Sequence, residues 1–325
     1  LASTLQKYQD RKSRAEKFLL AGFILVALAF VALILIIFNV LPEDSMWLFP
    51  SLLVIGGIVI LIGTVLFNRV QKAFKHGFLR DYLSDKIEDG EFIPKKGFKR
   101  KQGLQPDEVY ACEFLPKADR FYSFDRLRGT IDGVRFDSSD IKLQHIEYRT
   151  VRRGGKTRRK REVITYFYGR MFEFDFNKNF EGSLQVLEPK MPPRTKGAMF
   201  GKNFGWGPKA KPQSSRGFDS VELESVEFNE TFNTFATKEH TAFYVLTPHF
   251  MESLMKLEKQ HPGKVYFSFI DNRLHMAIHN GRPTFSLKPF RKLDESYLET
   301  FKQDIDIIYD VVDELKLNRN IFKEE

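Results

Sequence analysis

Eight of the thirteen residues from Arg149 to Arg161 are positively charged: Arg149, Arg152, Arg153, Lys156, Arg158, Arg159, Lys160 and Arg161, with no acid among them. The whole chain of 325 residues carries a formal charge of +9, so this segment supplies nearly all of the imbalance. Such a run binds anions; it does not by itself make or break bonds. Gly154-Gly155 suits a two-residue hairpin turn, and that register sets Arg153 opposite Lys156 and Arg149 opposite Lys160. Like charges directly opposed destabilise a strand pair, so the tip should fray unless an anion neutralises it. Three anions fit: headgroups of an anionic inner leaflet, nucleic acid with Tyr166, Phe167 and Tyr168 for stacking, or an acidic protein face. Nucleic acid is the least favoured of the three. A solvated arm that only blocks edge pairing is the plain structural alternative. A second basic stretch, 194–216, has six basic residues and no acid around Phe200, Phe204 and Trp206. It reads as a long loop, with Lys202, Phe204 and Trp206 as a candidate membrane-surface contact.

Catalytic constellations fail on their own requirements. There is no Gly-x-Ser-x-Gly nucleophile elbow. Gly197-Ala198-Met199-Phe200-Gly201-Lys202 has its glycines one residue too close for a phosphate loop, and Asn203 stands where a magnesium-binding hydroxyl is needed. His275 and His279, four apart, would lie about 13 Å from each other on a strand, too far to share a metal. Glu222 and Glu224, with Glu227 and Glu230 beyond, alternate as carboxylates on one strand face would, and a solvated face explains them best. The single Cys112 excludes an internal disulfide and any thiolate metal cage. No cofactor or metal is expected, and the balance leans away from an enzyme. The alternative is a membrane-tethered hydrolase or transferase acting on an anionic substrate, with Glu224, Glu227 or Asp271 as acid or base.

The elements that carry these residues follow from periodicity. After Lys117, short aromatic and β-branched runs bounded by Gly, Asp and Asn predict strands over Gly129–Phe136, Ile141–Val151, Val163–Phe176, Val221–Phe228, Ala242–Leu246 and Val265–Ile270. The last of these, with Leu274–His279, forms a hairpin across Asp271-Asn272-Arg273. Thr247 caps a helix that has Pro248 at its first position and stops before Pro262-Gly263. A second helix runs from about Asp294 to Leu317 with Leu298, Phe301, Ile305, Ile308, Val312 and Leu315 on one face. Strands adjacent in sequence favour an antiparallel sheet, and the whole reads as α+β.

A chain that is 42% hydrophobic and 29% charged is no disordered polymer, and its apolar residues cluster. Phe18–Val40 holds 23 uncharged positions, 17 of them Leu, Ile, Val or Phe, and Trp47–Phe67 holds 21 more. Each run exceeds or matches the roughly 20 residues needed to cross a bilayer. With only Leu41–Met46 between them, the two must form an antiparallel helical hairpin. Lys7, Arg11, Lys12, Arg14 and Lys17 precede the first span, and Arg69, Lys72, Lys75 and Arg80 follow the second, while the connecting loop has no basic residue. The positive-inside rule then puts both termini in the cytoplasm. The first apolar run is longer than a signal-peptide core, so it reads as an uncleaved anchor. Gly22 and Ala29 on one span and Gly56 and Gly63 on the other would form stripes for close helix approach. Val70, Phe74, Phe78, Leu79, Tyr82, Leu83 and Ile87 continue the second span as an amphipathic helix to Asp89-Gly90. A basic linker over 94–106 follows, placed to lie near anionic lipid.

The organisation expected is therefore a basic cytoplasmic N-terminus (1–17), a transmembrane hairpin (18–67, spans 18–40 and 47–67), a juxtamembrane helix and linker (68–116), and a cytoplasmic α+β domain (117–325). The run Tyr168-Gly169-Arg170-Met171-Phe172-Glu173-Phe174-Asp175-Phe176-Asn177-Lys178-Asn179-Phe180-Glu181-Gly182, then Val221 to Phe232, then Tyr244-Val245-Leu246-Thr247-Pro248-His249-Phe250-Met251, resembles the bacterial family catalogued as domain of unknown function 3137. Phe267-Ser268-Phe269 is a looser match. The likeness spans roughly Tyr110 to Ser286 and extends to the two-span N-terminus. It implies an inner-membrane protein with a cytoplasmic α+β domain. That family has no assigned activity, so no catalytic residue carries over. The resemblance also implies a LemA-like membrane protein as a possible partner. The reading is a membrane-anchored binding or scaffold module whose basic loops contact anionic headgroups of the bilayer or an acidic partner, with an oligomer left open.

Overall fold

In the computed structural model, residues 2–95, 102–153, 156–176, 181–188, 215–261, 263–315 and 317 are described. The architecture is α+β: two long apolar N-terminal helices and an antiparallel nine-stranded sheet with helices. The chain divides into two compact units, Leu1–Asp81 with Phe285–Lys302, and Tyr82–Thr284 with Gln303–Glu325.

In the first unit, α1 (Ala2–Ile37) and α2 (Leu48–Phe74) are joined through a 3-10 turn at Glu43–Trp47. Both are long and apolar enough to cross a membrane. The basic stretch expected as a separate N-terminal segment forms the first turns of α1. Close packing explains the glycines. A Cβ on Gly56 would stand 2.9 Å from Val26 Cγ2, and one on Gly22 would stand 2.8 Å from the Ile60 backbone nitrogen. Ala29 is fully buried on the same seam, so small residues let the two backbones approach. Outward, Phe23, Ile24, Phe30, Ile34, Ile55, Ile58 and Leu61 are all exposed. The segment 285–302 folds against the polar end of this pair. Lys12 is buried, its ammonium held by Glu16 and by the Arg291 carbonyl at 2.6 Å. Leu293 N–H donates to Gln9 Oε1 at 2.7 Å. Tyr8, Phe74, Phe78 and Phe301 stack edge and face around them.

The second unit is built on β1 (Glu88–Ile93), β2 (Arg120–Ile131), β3 (Val134–Arg153), β4 (Lys156–Asp175), β5 (Leu184–Leu187), β6 (Asp219–Val221), β7 (Asn233–Ala236), β8 (Lys264–Ile270) and β9 (Arg273–His279). Their order is β1-β2-β3-β4-β9-β8-β5-β7-β6, every pair antiparallel. The further helices of the chain are α3 (Arg80–Lys86), α4 (Pro106–Tyr110), α5 (Val226–Thr231), α6 (Glu239–Val245), α7 (Pro248–Gln260) and α8 (Glu295–Glu314). The central strands are covered on both faces. Tyr266 packs on Phe114, in a core with Leu104, Cys112, Ile141, Met171 and Ala277. On the opposite face Phe267 meets Phe232 of the α5–β7 connection, and Phe269 meets Phe250 of α7. Thr247 caps α7 as the sequence requires, accepting from Phe250 N–H, with Pro248 at the first position.

Three expected strands are corrected. Gly129–Phe136 is not one strand but the end of β2 and the start of β3, paired with each other across a turn at Asp132 (φ 48°) and Gly133 (φ 78°), the conformation of a tight hairpin turn. Val221–Phe228 divides into the end of β6 and the start of α5, because Ser225 accepts from Phe228 N–H and caps a helix. Ala242–Leu246 belongs to α6, which buries Thr241, Ala242 and Val245 at helical spacing. Asp89-Gly90, expected as a helix stop, lies in β1 at an irregularity between Glu88 and Glu91, with Asp89 at φ 49°. The expected helix beyond α2 does continue, through a π-helical turn at Lys75–Leu79, and ends at Lys86.

Candidate functional site

The basic run lies on β3 and β4, and the two strands outgrow their neighbours. β2 pairs with β3 only as far as Gln144, and β9 pairs with β4 only from Arg170 to Asp175. From His145–Ile164 outward the two strands pair only with each other, a two-stranded arm about 30 Å long at about 3.4 Å per residue. The backbone register is the expected one, Arg153 opposite Lys156 and Arg149 opposite Lys160. The Gly154-Gly155 turn and the side chains of Arg152, Arg153, Lys156 and Arg158 lie outside the described residues. So do Lys202, Phe204 and Trp206, the Gly197–Lys202 stretch, and the linker cations Lys96, Lys99, Arg100 and Lys101.

Charge on the described part of the arm is sorted by face. Arg149 and Lys160 share a face with Glu147 and Glu162, one pair further in. Arg149 lies 3.5 Å from Glu147 and 3.3 Å from Glu162. It is thus partly neutralised by acids that flank the run, and it is less available to an outside anion than its neighbours. On the other face the Arg159 guanidinium lies 5.1 Å from the centre of the exposed Tyr148 ring, with Arg161 directly opposite Tyr148. Arg159, Lys160 and Arg161 are exposed. At the arm's root His145 pairs with Asp119, whose carboxylate also accepts from Ile146 N–H at 2.7 Å.

Inside the sheet below the arm, Arg170 and Asp140 face each other across β4 and β3, and both are buried. The guanidinium donates to Asp140 Oδ1 at 3.2 Å, to Ser138 Oγ at 2.9 Å and to the Asp125 carbonyl at 3.2 Å. Asp140 accepts in addition from Thr284 N–H at 3.0 Å and Thr284 Oγ1 at 2.7 Å. Asp125 (φ 53°) sits at a bulge in β2, which turns its carboxylate to accept from Lys95 N–H at 2.9 Å. An ion pair buried this well specifies alignment more than it adds net stability. It fixes the register of β2, β3 and β4 and ties them to the loop after β9. Neither Asp140 nor Arg170 stood out in the sequence as a functional residue.

Residues 165–317 match the family of proteins of unknown function DUF3137. The match covers the motifs that carried the resemblance from β4 to α8; the stretch 110–164 and the two N-terminal helices lie outside it. Among solved structures the chain is similar to the mycobacterial trehalose monomycolate transport factor A, TtfA, at 5% identity, over 73% of this chain and 92% of that one, with a TM-score of 0.37. None of the curated proteins matches the chain.

The carboxylates considered for acid–base work are not brought together within the DUF3137 region. Asp271 (φ 50°) and Asn272 (φ 58°) form the β8–β9 turn, where Arg216 binds Asp271 at 2.9 Å and Glu113 at 2.7 Å. Glu227 lies on α5 and pairs with Lys259 at 3.1 Å. Glu222 and Glu224 precede α5 rather than lining a strand face with Glu227 and Glu230. His275 and His279 are both buried on β9, as strand residues, and His279 Nδ1 accepts from Tyr168 N–H at 3.0 Å. Burial, with Arg273 nearby, lowers the His275 pKa to about 4, so the ring is neutral. Cys112 is buried, which pushes its thiol up to about 12 and leaves it unreactive.

One feature the sequence did not signal is a cleft of about 500 Å³ at the other end of β2–β4 and β9, lined by five carboxylates, among them Glu108, Asp137 and Glu173, and three guanidiniums, Arg128, Arg135 and Arg273. Much of this charge is already matched. Arg126 bridges Glu108 at 3.0 Å and Asp137 at 2.9 Å, Arg128 pairs with Glu91, and Arg273 with Glu173. Burial raises the Asp137 pKa against the pull of Arg126.

Proposed function

We propose that the protein is a membrane-anchored binding or scaffold module, held by α1 and α2 with both termini cytoplasmic, whose β3–β4 arm engages an anionic surface. The observation that carries this reading is the arm, a paired ribbon that outgrows the sheet and exposes Arg159, Lys160, Arg161 and the Tyr148 ring. A sheet needs no such extension for its own stability, and a two-stranded ribbon in water is marginal without a partner. The anchor is supported by two helices of sufficient length and apolarity, by apolar side chains on the outside of the pair, and by basic residues at one end only. An ammonium or guanidinium near an anionic leaflet gains about 1 kcal/mol, and an acidic protein face would be steered to the arm by the same charge. The LemA-like protein implied by the family resemblance is the first partner to seek.

The test uses the full chain in nanodiscs of zwitterionic lipid, of anionic lipid, and in zwitterionic lipid with the proteins that co-purify from native membranes. Trypsin cleavage after Arg158 to Arg161 reports whether the arm is covered. Protection in anionic discs alone assigns the contact to lipid, and protection only with co-purified protein assigns it to a partner. Equal cleavage in all three, unchanged at low salt, refutes the arm as a binding surface.

A further inference from the structure

A cavity of about 390 Å³ opens between α1 and α2, lined by Arg11, Arg14, Ala15 and Phe18 of one helix and Leu66, Arg69, Val70 and Ala73 of the other. We infer that it is a site for the phosphate of an anionic phospholipid, at the end of the helical pair where the apolar spans stop.

The placement follows from helix geometry. Arg11, Arg14, Ala15 and Phe18 recur at i, i+3, i+4 and i+7, and so do Leu66, Arg69, Val70 and Ala73, so each set forms one stripe on its helix. The register between the helices is fixed by Gly56 against Val26, Gly22 against Ile60, Gly63 against Leu19, and the Tyr8 and Phe74 rings 5.7 Å apart. The same antiparallel offset sets Arg69 at the height between Arg11 and Arg14. Three arginines therefore line one opening. Its floor is the buried pair Ala15 and Val70, and Phe18 and Leu66 line its apolar end. A headgroup phosphate would meet the arginines while an acyl chain runs along Phe18 and Leu66. Arg14 lies about 6 Å along the axis from Phe18, the first residue of the long apolar run.

Charge balance supports an outside anion. Among the described residues, no carboxylate pairs with Arg11, Arg14 or Arg69. Lys12, one position away, is instead satisfied internally by Glu16 and the Arg291 carbonyl. Guanidinium forks bind phosphate oxygens in a planar, bidentate way that an ammonium cannot match, and basic pockets between membrane helices on the cytoplasmic side suit phosphate headgroups. A free phosphate could fill the polar part alone, but the apolar half of the lining calls for a lipid.

This inference rests on reading α1 and α2 as membrane-spanning, and the experiment separates the two. Full-length protein in a neutral detergent is titrated with phosphatidylglycerol, with phosphatidylcholine and with inorganic phosphate, and bound lipid is counted by native mass spectrometry. The expected result is retention of one phosphatidylglycerol in preference to phosphatidylcholine. At roughly a factor of five for each arginine near an anionic headgroup, Arg11→Gln/Arg14→Gln/Arg69→Gln lowers that affinity on the order of a hundredfold. Arg69→Gln alone, a milder change, lowers it about fivefold, and Lys17→Gln, outside the lining, leaves it unchanged. Equal binding of the two lipids, undiminished phosphatidylglycerol binding by Arg69→Gln, or displacement of phosphatidylglycerol by an equal concentration of inorganic phosphate would each overturn the site. Alkaline carbonate extraction of the wild type reports separately on anchoring: retention in the pellet upholds it, and release into the supernatant overturns the anchor and the lipid site together.

Discussion

Removing one partner of the Arg170–Asp140 pair should be among the most damaging single changes in the sheet. Asp140→Ala takes the carboxylate away from the guanidinium and strips Thr284 N–H and Oγ1 of their acceptor. Both charges are buried, at 3% and 0% side-chain exposure, so solvent cannot compensate. Orphaning one member of such a pair costs about 3–5 kcal/mol. For a domain of this size each kcal/mol moves the midpoint by about 2–4 °C, so the β-sheet transition should fall by roughly 6–20 °C. Asp140→Asn keeps the shape and one acceptor and should cost less. Arg170→Met alone leaves a buried carboxylate without its cation and should cost as much as Asp140→Ala. In Asp140→Ala/Arg170→Met no orphan charge remains, so the double variant should be more stable than the sum of its singles predicts by about 2 kcal/mol or more. Urea unfolding of the full chain in mild detergent, followed by far-ultraviolet circular dichroism, supplies all four values. A loss below about 1 kcal/mol for either single variant, or strict additivity in the double, would refute the assignment of this pair as the determinant of strand register.

Three further outcomes follow from the geometry. His275 is neutral in the fold with a pKa of about 4, against about 6.5 unfolded; the unfolded chain binds the extra proton first, so this stability is intact above pH 6.5 and is lost as pH falls toward 4, about 3 kcal/mol in total. His275→Phe should flatten the urea midpoint over that window, and an unchanged slope would show that other groups carry it. Gly169→Ala would drive a Cβ into the Ile278 carbonyl; overpacking of this kind costs about 1–3 kcal/mol, and hydrogen exchange should quicken selectively in β9. Lys12→Ala would leave the Arg291 carbonyl and Glu16 without their buried donor and should speed trypsin cleavage after Arg291 and Lys292, with protection by Lys12→Arg as the check.

What could be read before the fold was known depended on whether the deciding interaction was local. The α7 start needs only Thr247 and Pro248, and the β8–β9 hairpin only Asp271-Asn272 between two apolar runs; both were legible. The arm's register was legible too, since Arg153 pairs opposite Lys156 and Arg149 opposite Lys160 as a two-residue turn requires. Failure came where a side chain replaced a backbone partner. Val221 to Phe228 alternates like a strand, but Ser225 caps a helix there, and the Asn229 amide takes both the Leu223 N–H and its carbonyl, the two groups a strand neighbour would have used. Asp132-Gly133 was a turn signal inside an apolar run, and its hydrophobic neighbours hid it.

The buried ion pair was hidden for a different reason. A charged strand residue reads as solvent-facing, and that holds when one face of the sheet is wet. Here β4 is covered on both faces, so parity decides nothing about water and everything about neighbours. Arg170 shares its face with Phe172 and Phe174, which stack 6.2 Å apart and are fully buried. An arginine in phase with two core aromatics can remain only if a carboxylate meets it in the interior, and the partner at that register is Asp140 on β3, in an Asp137-Ser138-Ser139-Asp140 run between Phe136 and Ile141. The sequence signal was the mismatch between charge and parity, and it gains meaning only once strand pairing brings the two mismatches together. The arm and the pair are then two consequences of one long hairpin. Below Gln144 Asp140 and Arg170 meet inside the sheet, and beyond His145, where no further strand flanks the hairpin, Arg159, Lys160 and Arg161 are exposed.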